Sequence, residues 1–116
     1  MFKFHTINNI TIAELTDNNF IINEVQDALD LMADLSYQEC SRMIIHEKNL
    51  KKDFFDLSTR FAGEILQKFS NYSFKLAIIG DFSKYESKSL RDFIRESNRG
   101  NRIYFAEDLQ SALLRL

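Results

Sequence analysis

The 116-residue chain has no proline, no tryptophan, one cysteine and three glycines. A lone Cys40 cannot close an intrachain disulfide, so stability has to come from the core. No apolar run approaches the roughly 20 residues that a membrane span needs. The opening MFKFHTINN lacks the apolar stretch and small-residue cleavage site of a secretory signal. A cytoplasmic protein with no membrane partner is the expectation. An excess of one charge is also missing. Fifteen Lys and Arg against 17 Asp and Glu leave a net charge of −2, whereas a nucleic-acid binder normally carries a basic excess. Nucleic acid is therefore not an expected partner. No linker, repeat or low-complexity tract interrupts the chain, which reads as a single domain over residues 1–116.

What is present argues for a folded core. Hydrophobic residues make up 45% of the chain and charged residues 28%, a composition unlike that of disordered segments. Area scaling gives a folded surface of about 6,600 Å² against about 19,900 Å² unfolded, so a core can form without structural metal. Eleven phenylalanines and four tyrosines supply much of its bulk.

Hydrophobic periodicity divides the chain into alternating strands and helices. Phe2, Phe4 and Ile7, then Ile10, Ile12 and Leu15, alternate with polar neighbours around Asn8-Asn9, the signature of a two-residue hairpin. Val25, Ala28, Leu29, Met32 and Ala33 recur at helical spacing, predicting a helix over 23–37. Asn23 is its expected N-cap, with Gln26 completing a capping box. Arg42–His46 reads as a strand and Asp53–Asn71 as a helix. Phe74–Ile79 is a nearly continuous apolar strand. Ser87 or Ser89 opens a helix to Asn98, with Gly100 just beyond it. Ile103–Phe105 is the last strand, and a final helix begins near Glu107.

Helices interleaved with strands imply an α/β fold with a mixed, mostly parallel five-stranded sheet. An N-terminal β-hairpin opens it, βα units follow, and there are about four helices. Leu76-Ala77-Ile78-Ile79 is apolar at consecutive positions, so both faces of the sheet have to be covered. Either the helices divide between the faces or a second subunit covers one of them. A homodimer is expected on the second alternative.

Sites in such sheets form at the carboxyl ends of the parallel strands. Those ends carry His46, Glu47, Lys48 and Asn49 in one loop and Asp81, Phe82, Ser83, Lys84 and Tyr85 in the next, with Arg60 near the start of a helix. All but the two lysines form the candidate pocket. Each has a plainer use, as a loop fastener, turn former or cap. The two histidines lack metal-ligand spacing, Gly80 stands without the wider glycine pattern of a phosphate loop, and no G-x-S-x-G elbow occurs. No catalytic residue, metal or cofactor is assigned. Lys88, Arg91, Arg95 and Arg99 share one helix side with Asp92 and Glu96, while Asp27, Asp30 and Asp34 form an acidic side without compensation. That acidic side is either a solvated helix face or a meeting surface for a basic partner.

HEKNL (46–50), FFDLSTRFAGEILQKFSNY (54–72) and GDFSKYESKSLRDFIRESNRG (80–100) resemble the bacterial domain of unknown function family 4180 over nearly the whole chain. The element order is similar to the STAS domain, the sulfate-transporter and anti-sigma-factor-antagonist fold. That resemblance implies a protein-interaction role and phosphorylation at the start of a helix, at Ser58 or, second, Thr59. The antagonist motif has an Asp-Ser-Ser-Gly-like core, from which Ser58-Thr59-Arg60 departs.

Two functions are compatible with these observations. One is a non-catalytic, regulatory protein-interaction module acting as a homodimer with a protein partner. The other is a small-ligand binder or enzyme using the polar loops.

Overall fold

The Asn8-Asn9 turn is formed as the alternation around it requires. In the computed structural model, which describes residues 1–116, β1 (Phe2–Ile7) and β2 (Ile10–Leu15) pair antiparallel. Asn8 and Asn9 hold φ values of 52° and 67°, the two positive angles of a type I′ turn. β3 (Arg42–His46), β4 (Lys75–Ile79) and β5 (Ile103–Ala106) add in parallel. The result is one five-stranded sheet in the order β1-β2-β3-β4-β5.

Four helices complete the α/β fold: α1 (Val25–Tyr37), α2 (Phe61–Asn71), α3 (Lys88–Arg99) and α4 (Leu109–Arg115). None is long and apolar enough to cross a membrane. Crossovers between successive parallel neighbours share one hand, so the three connecting helices belong on one face. Leu31 and Leu35 of α1 and Ile65 and Phe69 of α2 accordingly share a core with Met43, Ile45, Leu76 and Ile78, and α3 adds Phe93 and Ile94. α4 has no following strand and folds back over the other face, where Ala112 is buried with Ile12, Ile44, Ala77 and Ala106. The helices thus divide three against one. Of the two alternatives for covering the sheet, the division of helices between the faces is realised, with Ile10, Ile79 and Tyr104 half-buried on the α4 side. The exposed area is 6845 Å², close to the scaling value.

Several boundaries differ from the expected ones for local reasons. α1 is capped at Glu24 rather than Asn23, because the Asp27 carboxylate accepts from the backbone N–H groups of both Asn23 and Glu24 at 2.9 and 3.1 Å. The expected helix over 53–71 is broken into two 3-10 turns, Lys52–Phe55 and Leu57–Thr59, followed by α2. Asp56 accepts from the Ser58 N–H, and Arg60 then takes φ 66°. A side chain that bonds its own backbone competes with the helix. Ser87, not Ser89, caps α3 by accepting from Leu90 N–H at 3.2 Å. Asp108 caps α4 through Ser111 N–H, so the helix starts at Leu109, two residues later than expected.

Candidate functional site

His46 and Ile79 stand opposite each other at the carboxyl ends of β3 and β4. The loops that leave these strands, with the turns before α2, enclose an open cleft of about 690 Å³. Glu47 is its central acid. Its Oε2 accepts from the Tyr85 hydroxyl and lies 2.7 Å from Lys84 Nζ. Glu47 also packs over Gly80, where a Cβ would stand 2.8 Å from both Glu47 Cβ and Oε1. Burial, followed by the hydrogen bond to Glu47 and its negative charge, pushes the Tyr85 phenol well above its ordinary pKa of 10.0. Tyr85 therefore remains a donor.

One wall is aromatic. The Phe55 and Tyr85 rings stack with centroids 5.0 Å apart and planes 13° from parallel. Phe82 lies 6.1 Å from Phe55 and meets Phe105 edge-on at 5.2 Å. Phe54 is fully buried beneath them. The lining is also basic: Lys48, Lys51, Lys52 and Lys84 border the cleft, with Asp56 the second acid. Lys51 reaches Asp53 only at 3.9 Å and sits 4.5 Å over the Phe61 ring.

Of the candidate pocket residues, Glu47 and Tyr85 line this cleft and Phe82 buttresses its wall. The others lie elsewhere or are engaged locally. Asn49 is buried, donates to the carbonyls of Asp17 and Phe20, and accepts from the His46 N–H. It fastens the loop. Asp81 accepts from both the N–H and the hydroxyl of Ser83 within an exposed turn. Those two bonds, the hydroxyl first, and the nearby Lys84 hold its carboxyl below the usual range. Arg60 is exposed and closes a 3-10 turn through its own N–H. Ser58 donates its hydroxyl to Asp56 at 2.6 Å, so a phosphate there would face a carboxylate. Thr59 Oγ1 lies 2.7 Å from the Asp53 carbonyl and accepts from Phe61 N–H, tying the loop to α2.

His46 turns to the opposite side of the sheet, because Ile45 before it faces the helices and strand residues alternate. There its Nε2 lies 3.1 Å from Glu14 Oε2, while His5 Nε2 lies 2.9 Å from Oε1. Both histidines of the chain thus meet one carboxylate that is only 9% exposed. Burial raises the Glu14 pKa, but the hydrogen bonds from His5 and then His46, with their charge, outweigh it and leave the net value lowered. No three His, Cys, Asp or Glu side chains are arranged to hold a metal ion.

Sequence reasoning put Lys48 and Lys84 in the strand-end loops but did not join Lys51 and Lys52 to them, and it missed the His5–Glu14 link. That link was within reach. The hairpin register puts His5 opposite Ile12, which makes Glu14 its diagonal neighbour on the same face.

The chain as a whole defines a small α/β domain with a cleft at its strand ends. The sequence profile of the domain of unknown function DUF4180 matches residues 7–116, and the chain belongs to that family. No curated protein and no solved structure matches it.

Proposed function

We propose that the domain binds a small anionic ligand in the cleft between the loops that follow β3 and β4. The observation that carries this is the gathering of Lys48, Lys51, Lys52 and Lys84 around one cavity, against Glu47 and Asp56. Glu47 is already committed to Lys84 and Tyr85, and no ion pair joins it to the other three lysines. Four ammonium groups lining one cleft against two carboxylates leave a locally positive field, which favours an entering anion. The Phe55–Tyr85 stack gives the ligand an apolar wall to lie against. In this reading the domain is a cytoplasmic, non-catalytic sensor whose ligand regulates what it contacts.

Titration of the isotopically labelled protein with phosphate, pyrophosphate and citrate tests the proposal at low ionic strength, where exposed charges act most strongly. Amide shifts should concentrate at residues 48–52 and 84–85. Lys51→Glu and Lys84→Glu should each weaken binding about tenfold, or about 1.4 kcal/mol. Shifts spread evenly over the surface, or wild-type affinity in both variants, would overturn it.

A further inference from the structure

We infer that the groove between α1 and the turn from α2 to β4 is a docking surface for a basic amphipathic helix of a partner protein. This goes beyond the ligand cleft and shares no residue with it. The groove, about 480 Å³, has Met32 and Phe74 as its floor and Leu29, Ala33 and Tyr72 on its sides. Tyr72 is 61% exposed, and large amphipathic aromatics of this kind often anchor protein contacts. Gln26, Leu29, Asp30, Ala33 and Ser36 follow one another along α1 at helical spacing. The recess is therefore linear, which is the form an amphipathic helix fills with apolar anchors three or four residues apart.

Charge decides the partner. α1 carries Asp27, Asp30 and Asp34 and no Lys or Arg. No ion pair of the protein reaches these three. Asp27 is occupied in capping the helix, whereas Asp30 receives only the Gln26 amide. Asp34 lies toward the carboxyl end, where the helix dipole disfavours an anion. Asp30 lines the groove and Asp34 follows one turn later on the same helix, so this apolar recess beside an acidic helix complements a helix with a leucine-like face flanked by Lys or Arg. The chain's own basic stripe is a poorer occupant. On α3, Lys88 and Arg95 are paired with Asp92, and Arg99 with Glu96.

The test uses fluorescence anisotropy with a labelled amphipathic helical peptide of Leu and Lys, and a scrambled peptide of the same composition. At physiological salt the amphipathic peptide should bind in the range of about 1–100 μM, and the scrambled one about tenfold more weakly. Asp30→Lys with Asp34→Lys should weaken binding about tenfold. Ala33→Arg, which fills the recess, should abolish binding while Lys84→Glu leaves it unchanged. If Ala33→Arg does not fold by circular dichroism, Ser36→Arg at the rim serves the same purpose. Equal binding of the scrambled peptide would reduce the effect to bulk charge and overturn the proposal, as would binding indifferent to the aspartate changes. Light scattering runs in parallel. A wild-type dimer that Ala33→Arg turns into monomer would assign the groove to a second copy and overturn the proposal as well.

Discussion

His46 Nε2 stands 3.1 Å from Glu14 Oε2 across the seam between β2 and β3. That seam is short, with Ala13 opposite Met43 and Glu14 opposite Ile44, whereas β3 and β4 pair along their whole length. His5 holds the other oxygen of the same carboxylate from β1. Glu14 thus fastens the N-terminal hairpin to the rest of the sheet where main-chain pairing is thinnest.

Replacing Glu14 should therefore cost stability in a way that depends on pH. Its folded pKa lies below the ordinary 4.5, so the unfolded chain takes up the proton more readily than the folded one. The contribution is fully present above the ordinary value and is lost as pH falls through the folded one. Glu14→Gln should destabilise by about 1–3 kcal/mol at neutral pH, the usual scale for losing hydrogen bonds to a charged group. Urea denaturation at pH 7 and again on the acid limb measures this. The gap between wild type and variant should narrow in acid, and a constant gap would show that the two imidazoles do not hold the ionised form.

Asn49 is predicted to be structural. Its amide bridges Asp17 and Phe20 on one loop to the His46 backbone on another, at 3.1, 2.8 and 2.9 Å, and it is 1% exposed. Asn49→Ala leaves those three backbone groups without partners in a buried place, costing about 2–3 kcal/mol. A shift of the urea midpoint with the slope unchanged is the expected result. Binding to the cleft, measured on the fraction still folded, should be close to wild type.

The chain order of the elements was legible because it depends on local pattern. Asn8-Asn9 between alternating strands, and helical spacing in 25–33, are each decided within about ten residues. The break inside 53–71 was harder, since Leu57, Phe61, Ile65 and Phe69 keep a helical period while Asp56 and Arg60 interrupt the backbone. The site was legible only in part. Glu47 and Tyr85 do border one cleft at adjoining strand ends, but a strand sends its last residue to either face, and His46 turns to the other side. The turn at 52–55 has to be known before Lys51 and Lys52 can be placed around the same cleft as Lys48 and Lys84.

Gly80→Ala should disturb the cleft from behind. The backbone at Gly80 has no positive φ that would require glycine. The constraint is space, because a Cβ would stand 2.8 Å from the Glu47 Cβ. Glu47 would have to move, loosening its contacts with Tyr85 and Lys84. Overpacking of this kind costs about 1–3 kcal/mol. The same variant should lower the affinity for phosphate or pyrophosphate if Glu47 sets the position of Lys84. A structure of the variant with Glu47 unmoved would sink the argument.

Tyr85 offers the most direct reading of the cleft's electrostatics. Burial, then the hydrogen bond and charge of Glu47, raise its phenol above the ordinary 10.0. A raised folded value means that Tyr85 contributes stability below the ordinary pKa, and that this is lost as pH rises through the folded one. Ultraviolet phenolate absorbance during alkaline titration, taken as wild type minus Tyr85→Phe, isolates this one phenol. Its ionisation should lag behind free tyrosine, and Glu47→Gln should bring it forward by removing the adjacent charge. At neutral pH Tyr85→Phe should cost only about 1 kcal/mol, since Glu47 keeps Lys84 and the ring still stacks on Phe55. A phenol that titrates normally in the folded protein would mean that its hydroxyl does not rest on Glu47, and the donor assigned to Tyr85 in the cleft would be withdrawn.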